Sequence, residues 1–313
     1  MSSLVVYAVN ILTLVLVTAL YMWKMAAWVR SPNSTLRRSI LTSAVIWVCS
    51  ILSLLLNSYL DVPIPILIGL VIVDMIFIQY VFVLKFVRAL VVFGAYVLGC
   101  ITVIFLGRFV VRPYIMESIE VNSNSMAPTL VARHHLGVCP QCGSAAIIPI
   151  SEHGFFHQEG ICSNCRAVNT IEPQKILTEK YGHDQCCVNK WLKPRRWDVV
   201  VHRANHDDRI LYAFRLVGLP GETMMIRDGA VWINDVKQEL PSHVGPIQYL
   251  ADSIDRANSI YGPITLKSGE VFVLGDYSAS SSDSRVFGVV PEANIVGVVD
   301  LIYWPMKRMR ILR

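Results

Sequence analysis

Four long apolar runs fill the first third of the chain, and they constrain its fold before any motif does. They are approximately Leu4–Trp23, Ile40–Leu60, Ile64–Leu84 and Ala89–Val111. Each is long enough, as a helix, to cross about 30 Å of hydrocarbon. Charge follows the same division, since most of the 28 Lys+Arg and 23 Asp+Glu lie after residue 111. A hydrophobic fraction of 54% is likewise above that of ordinary soluble domains. The pattern predicts about four transmembrane helices over residues 1–112 and an aqueous domain over 113–313.

Orientation follows from the connections. The first, Lys24 to Arg38, carries Lys24, Arg30, Arg37 and Arg38, and the third carries Lys85 and Arg88. The second, around Asp61-Val62-Pro63, has no basic residue. Basic loops stay cytoplasmic, so the N-terminus and everything after Val111 are expected outside. A cleavable leader is not expected, because Met1-Ser2-Ser3 has no positive charge and the run that follows is too long. Asp74 falls inside the third run. A lone intramembrane carboxylate is a functional candidate, but more commonly it faces neighbouring helices or is protonated. The net charge of +5, with no basic run interleaved with aromatics, fits an anionic lipid surface and argues against nucleic acid.

After the last apolar run comes Glu117 to Leu130, reading ESIEVNSNSMAPTL. Ser, Asn and Pro break the apolar pattern there, which places Ser125 at a strand end or in an exposed turn. A hydroxyl so held is a candidate nucleophile, with Ser123 a candidate oxyanion donor. Farther on, Trp197–Arg203, Met224–Ile226, Ala230–Ile233 and Glu270–Leu274 are short runs bounded by turn residues, with a polar loop at Ala204–Arg209. They predict a mostly antiparallel β domain.

Two further stretches give the serine turn its context: Tyr212 to Glu222, YAFRLVGLPGE, and Leu274 to Pro291, LGDYSASSSDSRVFGVVP. In this order, behind a hydrophobic anchor, the three resemble the boxes of type I signal peptidases, membrane-bound serine proteases that remove signal peptides. The similarity runs from about Ile119 to the C-terminus, apart from one insertion. It implies cleavage after small residues at the outer membrane–water interface. The lipid bilayer and preproteins would then be partners, with secretion machinery or an active signal peptidase as further ones. By the same resemblance Ser125 matches the nucleophile. Ser281 matches a serine that hydrogen-bonds the catalytic lysine, and Asp283 and Arg285 match a supporting ion pair.

The lysine itself is missing. Its position, ahead of Arg215, is Phe214. Phenylalanine accepts no proton, and general-base assistance is typically worth about 10² to 10⁴ in rate. Two readings follow. One is a slow serine endopeptidase working through an acyl-enzyme on Ser125. The other is a non-catalytic relative that binds signal-peptide-like or transmembrane segments and regulates or recruits a competent peptidase. His202, His134 and His135 are the candidate replacement bases, because histidine titrates near neutral pH; Lys190 and Lys193 have no motif behind them.

The insertion, residues 133–182, contains Cys139-Pro-Gln-Cys142 and Cys162-Ser-Asn-Cys165, separated by residues 143–161. Two CxxC knuckles at this spacing match a zinc ribbon, in which four thiolates close a tetrahedral structural site. Gly143 and Gly160 beside them suit tight turns. An extracytoplasmic location favours disulfides instead, but bridges within CxxC pairs are geometrically tense, so zinc is expected. Cys186 and Cys187 read as core residues of a strand, and Cys49 and Cys100 as packing inside the spans. The ending, Leu301–Arg313 or LIYWPMKRMRILR, reads equally as a lipid-headgroup contact and as the last strand of the domain.

Overall fold

The structure, a computed structural model, describes residues 3–60, 64–150, 159–177, 181–204, 207, 209–251 and 260–313. The chain divides into two compact units, Leu4–Tyr114 and Ile115–Arg313. The Asp61-Val62-Pro63 connection, part of the Ala204–Arg209 loop and the side chain of Cys49 lie outside the described residues.

The first unit is helical: α1 (Ser3–Trp28), α2 (Leu36–Leu60), α3 (Ile64–Phe82) and α4 (Phe86–Leu106). Continuous helix over residues 86–114, the last turns partly of π type, is among the described residues the one stretch both long and apolar enough to cross a membrane. Helix α1 runs past the expected boundary at Trp23, because Met22, Ala26 and Val29 continue its buried stripe against Ile46, Ile78, Phe82 and Val92. The first connection is therefore only residues 29–35. It closes on the end of α3, where the Ser31 hydroxyl donates to the Phe82 carbonyl at 2.6 Å and the Asn33 amide to the Val81 carbonyl at 3.2 Å. These satisfy carbonyls that a helix C-terminus leaves free. The first and third connections thus lie at one end of the bundle. Thr18 and Ser43 share a 2.5 Å hydrogen bond between α1 and α2. Gly99 lets α4 approach α1, since a Cβ there would sit 3.0 Å from the Thr18 backbone; small and hydroxyl residues at such contacts are the usual glue of apolar helices. Asp74 is half-buried on α3 and Cys100 half-buried on α4.

Among the described residues the strands of the second unit are all antiparallel and form three sheets. Its strands are β1 (Met116–Glu120), β2 (His134–Val138), β3 (Ala145–Pro149), β4 (Glu159–Cys162), β5 (Val168–Thr170), β6 (Gln185–Asn189), β7 (Val199–Arg203) and β8 (Leu211–Gly218). They continue as β9 (Thr223–Arg227), β10 (Ala230–Ile233), β11 (Val236–Lys237), β12 (Ile260–Thr265), β13 (Glu270–Leu274), β14 (Val290–Pro291), β15 (Ile295–Trp304) and β16 (Arg310–Ile311). The largest sheet has the order β1-β6-β15-β7-β8-β13-β14, with β16 on β15; β11-β10-β9-β12 and β2-β3-β4-β5 form the other two.

The central strands are nearly continuous Val, Ile and Leu because both faces of the large sheet are covered. One face carries Val200, Phe214, Leu216, Val273 and Val298, and the other carries Trp197, Val217, Phe272 and Leu274. Cys186 and Cys187 on β6 are fully buried packing residues. The ending is the last part of this sheet. Arg308 pairs with Asp184 at 2.7 Å, Arg310 donates to the Thr129 carbonyl at 2.8 Å, and Arg313 reaches Asp198 at 3.4 Å. Three of the four basic side chains offered for lipid headgroups are thus held by the domain itself, which favours the strand reading.

Candidate active site

The Ser125 turn leaves β1 and is followed by the third sheet, so the nucleophile segment is held from two directions. Ser125 is half-buried and Ser123 exposed. The Ser123 and Ser125 hydroxyls lie 2.7 Å apart, and the Ser125 amide donates to the Ser123 hydroxyl at 3.2 Å. Ser123 is therefore in direct contact with the nucleophile position. The Ser125 carbonyl accepts from the Tyr277 amide at 2.9 Å, which ties the turn to the box that follows β13.

That tie brings Ser281 to the same place. A Cβ built on Gly275 would lie 2.1 Å from the Ser281 hydroxyl and 2.7 Å from the Ser125 carbonyl, so the two serines meet across bare glycine backbone. Ser281 is 4% exposed, and its hydroxyl has no hydrogen-bond partner among the described residues. Most buried hydroxyls have a partner, so an orphan of this kind needs an explanation. Leu274 pairs with Arg215 across β13 and β8, which sets Phe214 beside Gly275 on the same face of the sheet. A lysine at 214 would start its side chain next to this hydroxyl; the phenyl ring offers it nothing.

Phe214 is 4% exposed and packs in the main core. Its ring lies 5.9 Å from those of His202 and Phe287 and 6.1 Å from that of Tyr212. His202 is thus drawn into an aromatic cluster. Its Nδ1 contacts the Arg203 carbonyl at 2.9 Å, and its buried Nε2 is unpartnered among the described residues. Burial lowers its pKa, which the Arg203 carbonyl only partly offsets, so the ring is neutral at pH 7. His134 and His135 belong to the third sheet, where His134 stacks on Tyr181 at 5.7 Å and holds the Ala132 carbonyl at 2.8 Å.

Two buried ion pairs frame the serines. Arg285 grips Asp283 at 2.7 and 2.8 Å, and the Asp283 carboxylate also accepts the Gly275 amide at 2.9 Å. Arg215 grips Asp276 at 2.5 and 2.7 Å, and Asp276 in turn accepts a short hydrogen bond from the Thr129 hydroxyl. Burial alone would lower the Arg215 pKa, but the facing Asp276 more than compensates and holds it charged. Removing one member of such a pair typically costs about 3–5 kcal/mol. Thr129, Arg215 and Asp276 come from the three separate boxes, and their junction was not foreseen from the sequence. Its only sequence signal is that all three lie inside the quoted motifs.

The four ribbon cysteines also converge. Cys139 and Cys142 sit in the β2–β3 hairpin and Cys162 and Cys165 in the β4–β5 hairpin, and their four sulfurs lie within 4.8 Å of one another. The closest separations are 3.4 Å for Cys142–Cys162, 3.6 Å for Cys142–Cys165 and 3.8 Å for Cys139–Cys165. A tetrahedral ion with metal–sulfur bonds of about 2.3 Å has sulfur edges of about 3.8 Å, so this group could bind a metal. Gly143 follows the first knuckle at φ +71, as expected of a turn glycine. Gly160 does otherwise. It lies in β4, where a Cβ would meet Ile148 at 2.9 Å and the Ile147 carbonyl at 3.0 Å, so it serves close strand packing.

Comparison with known proteins shows the family. The family described as "Signal peptidase, peptidase S26" matches residues 92–304, two thirds of the chain. The chain belongs to this family. Among its signal peptidase relatives, Signal peptidase I of Bacillus caldolyticus is 36% identical over 118 residues, 36% of this chain and 64% of that protein. Signal peptidase I T of Bacillus subtilis is 32% identical over 152 residues, 45% of this chain and 75% of the relative. Thylakoidal processing peptidase 1, chloroplastic, of Arabidopsis thaliana is 29% identical over 189 residues, 56% of this chain and 51% of the relative. A crystal structure of a signal peptidase I from Enterococcus faecalis is 31% identical and covers 34% of this chain and 97% of its own, with a TM-score of 0.27.

Proposed function

We propose that this chain is a signal-peptidase-type membrane serine endopeptidase. Residues 1–112 form the membrane region, with about four spans. Residues 113–313 form an extracytoplasmic β domain with the ribbon of residues 133–182 inserted. Signal-peptide-bearing preproteins are the substrate class, cleaved after small residues. The observation that carries this reading is that Ser281 meets the Ser125 backbone across Gly275 while the Ser123 and Ser125 hydroxyls lie 2.7 Å apart. In the reaction the Ser125 hydroxyl attacks the scissile carbonyl, its proton passes by way of solvent to the departing amine nitrogen as the C–N bond breaks, and an ester to Ser125 forms; water then hydrolyses the ester and returns a proton to Ser125. Asp283 and Arg285 hold the Ser281 turn in place. With Phe214 at the lysine position the proton has no side-chain acceptor there, so turnover is slow, lower by about 10² to 10⁴ than with a base in place.

We further propose that Cys139, Cys142, Cys162 and Cys165 bind one structural zinc. Four protein ligands leave no open position for substrate. The Ser144 hydrogen bonds hold the exposed Cys142 thiol down at about 6, and burial pushes the Cys162 thiol up to about 12.

Phe214 itself favours a second reading, a non-catalytic member that binds signal-peptide-like segments and recruits a competent peptidase. Processing of a synthetic preprotein by the purified full chain, beside Ser125→Ala, separates the two. Slow cleavage abolished by Ser125→Ala is the expected result. Binding without cleavage would leave the second reading in its place.

A further inference from the structure

The two cysteine knuckles are built alike but differ at one residue. Each runs Cys-x-x-Cys followed by a residue in the left-handed region: Gly143 at φ +71 after the first, Arg166 at φ +61 after the second. Glycine adopts that conformation freely and an arginine does not. A long charged side chain in a glycine position is therefore there for what it reaches.

Arg166 reaches across to the nucleophile segment. Its Nη1 lies 3.5 Å from the Thr129 hydroxyl, and its Nη2 donates to the Val244 carbonyl at 3.1 Å. Thr129 closes the SMAPT turn and bonds Asp276, the partner of Arg215. The ribbon meets the same segment through an apolar seam, in which Ile147 and Ile161 pack with Ala127, Val131 and Tyr277. Ala127 and Val131 bracket the turn, and Tyr277 holds the Ser125 carbonyl. On another side Arg308 and Arg310 bind the Pro128 and Thr129 carbonyls.

We propose that Arg166 is a positioning residue for the Ser125 segment, and that the four-cysteine site fixes the knuckle that delivers it. The second half rests on the zinc reading above. The ribbon is then a brace on the catalytic turn: metal closes the knuckle, the knuckle forces the left-handed backbone, and the backbone aims the guanidinium at Thr129.

The test is amide exchange on the full chain in detergent, read over residues 123–131, with zinc content measured on the same samples. Arg166→Gly removes the side chain while suiting the backbone, so the protein folds. It should keep one zinc per chain, yet speed exchange of the segment about tenfold, leaving β7 and β8 unchanged. Arg166→Lys, which keeps a single charge, should restore part of the protection. Chelation, or Cys142→Ser, should loosen the same segment. Zinc-loaded Arg166→Gly with unaltered exchange would overturn the brace. Absence of zinc from wild-type protein would instead remove the metal half, and Arg166→Gly exchange would still decide the role of the arginine.

Discussion

Replacing Phe214 by lysine puts an amine beside the orphaned Ser281 hydroxyl and supplies the site with a base. The cost can be worked from its surroundings. Truncating a buried phenylalanine to alanine typically costs about 3–5 kcal/mol, and the four-carbon stem of lysine refills part of that space. About 2 kcal/mol of packing is therefore lost against the rings of His202, Tyr212 and Phe287. Desolvation at a site 4% exposed should lower the new amine by about two units from its reference of about 10.4. At 1.36 kcal/mol per unit this adds about 3 kcal/mol at pH 7. The sign is fixed: the unfolded chain binds the proton more tightly, so the variant gains stability as pH rises from about 8 to about 10. Activity should rise by about 10² to 10⁴, with a rate that climbs with pH through about 8.4 as the amine loses its proton, a limb that wild type lacks. Gel-resolved processing of a preprotein across pH is the assay. Ser125→Ala in the lysine background should abolish the gain, and Phe214→Met should fold without it. A folded Phe214→Lys protein with no gain at any pH would refute the reasoning.

Asp276→Asn removes the charge facing Arg215 while keeping its shape, and should lower unfolding free energy by about 3–5 kcal/mol in denaturant titrations; a change under 1 kcal/mol would mean the pair is not what joins the three boxes. Reporter fusions after Val111 should report an extracytoplasmic location, and cysteines placed in residues 29–35 and at Lys85 should be accessible from the same, cytoplasmic, side. Opposite accessibility of those two connections would contradict the Ser31 and Asn33 bonds to the end of α3.

The helices and a minority of the strands were legible because their signals are local. Apolar runs marked α1 to α4, and β-branched runs between turns marked β7, β9, β10 and β13. The serines, the Asp283–Arg285 pair and the cysteine knuckles were legible as spaced motifs. What could not be read were partnerships made only in three dimensions. Nothing in the order of residues joins Thr129 to Asp276 and Arg215, or sends Arg166 from the insertion to the nucleophile turn. The C-terminal arginines left two readings open for the same reason. A basic run beside Tyr303 and Trp304 resembles a lipid contact until Asp184, Asp198 and the Thr129 carbonyl are seen to occupy it. Gly160 was placed in a turn because glycine signals both turns and tight strand contacts.

The orphaned site has an uneven composition when sorted by what the fold would lose. Asp283, Arg285, Arg215 and Asp276 are buried and mutually bound, so a chain that abandoned proteolysis would still be held to keep them. Phe214 shows the opposite case, a position where the reactive group could be exchanged for a ring that the core accommodates. Ser123 and Ser125 stand apart from both. Their hydroxyls bond chiefly to each other near the surface, and alanine at either place would cost the domain little. Architecture does not require them, so the informative survivors of this site are its two least structural residues.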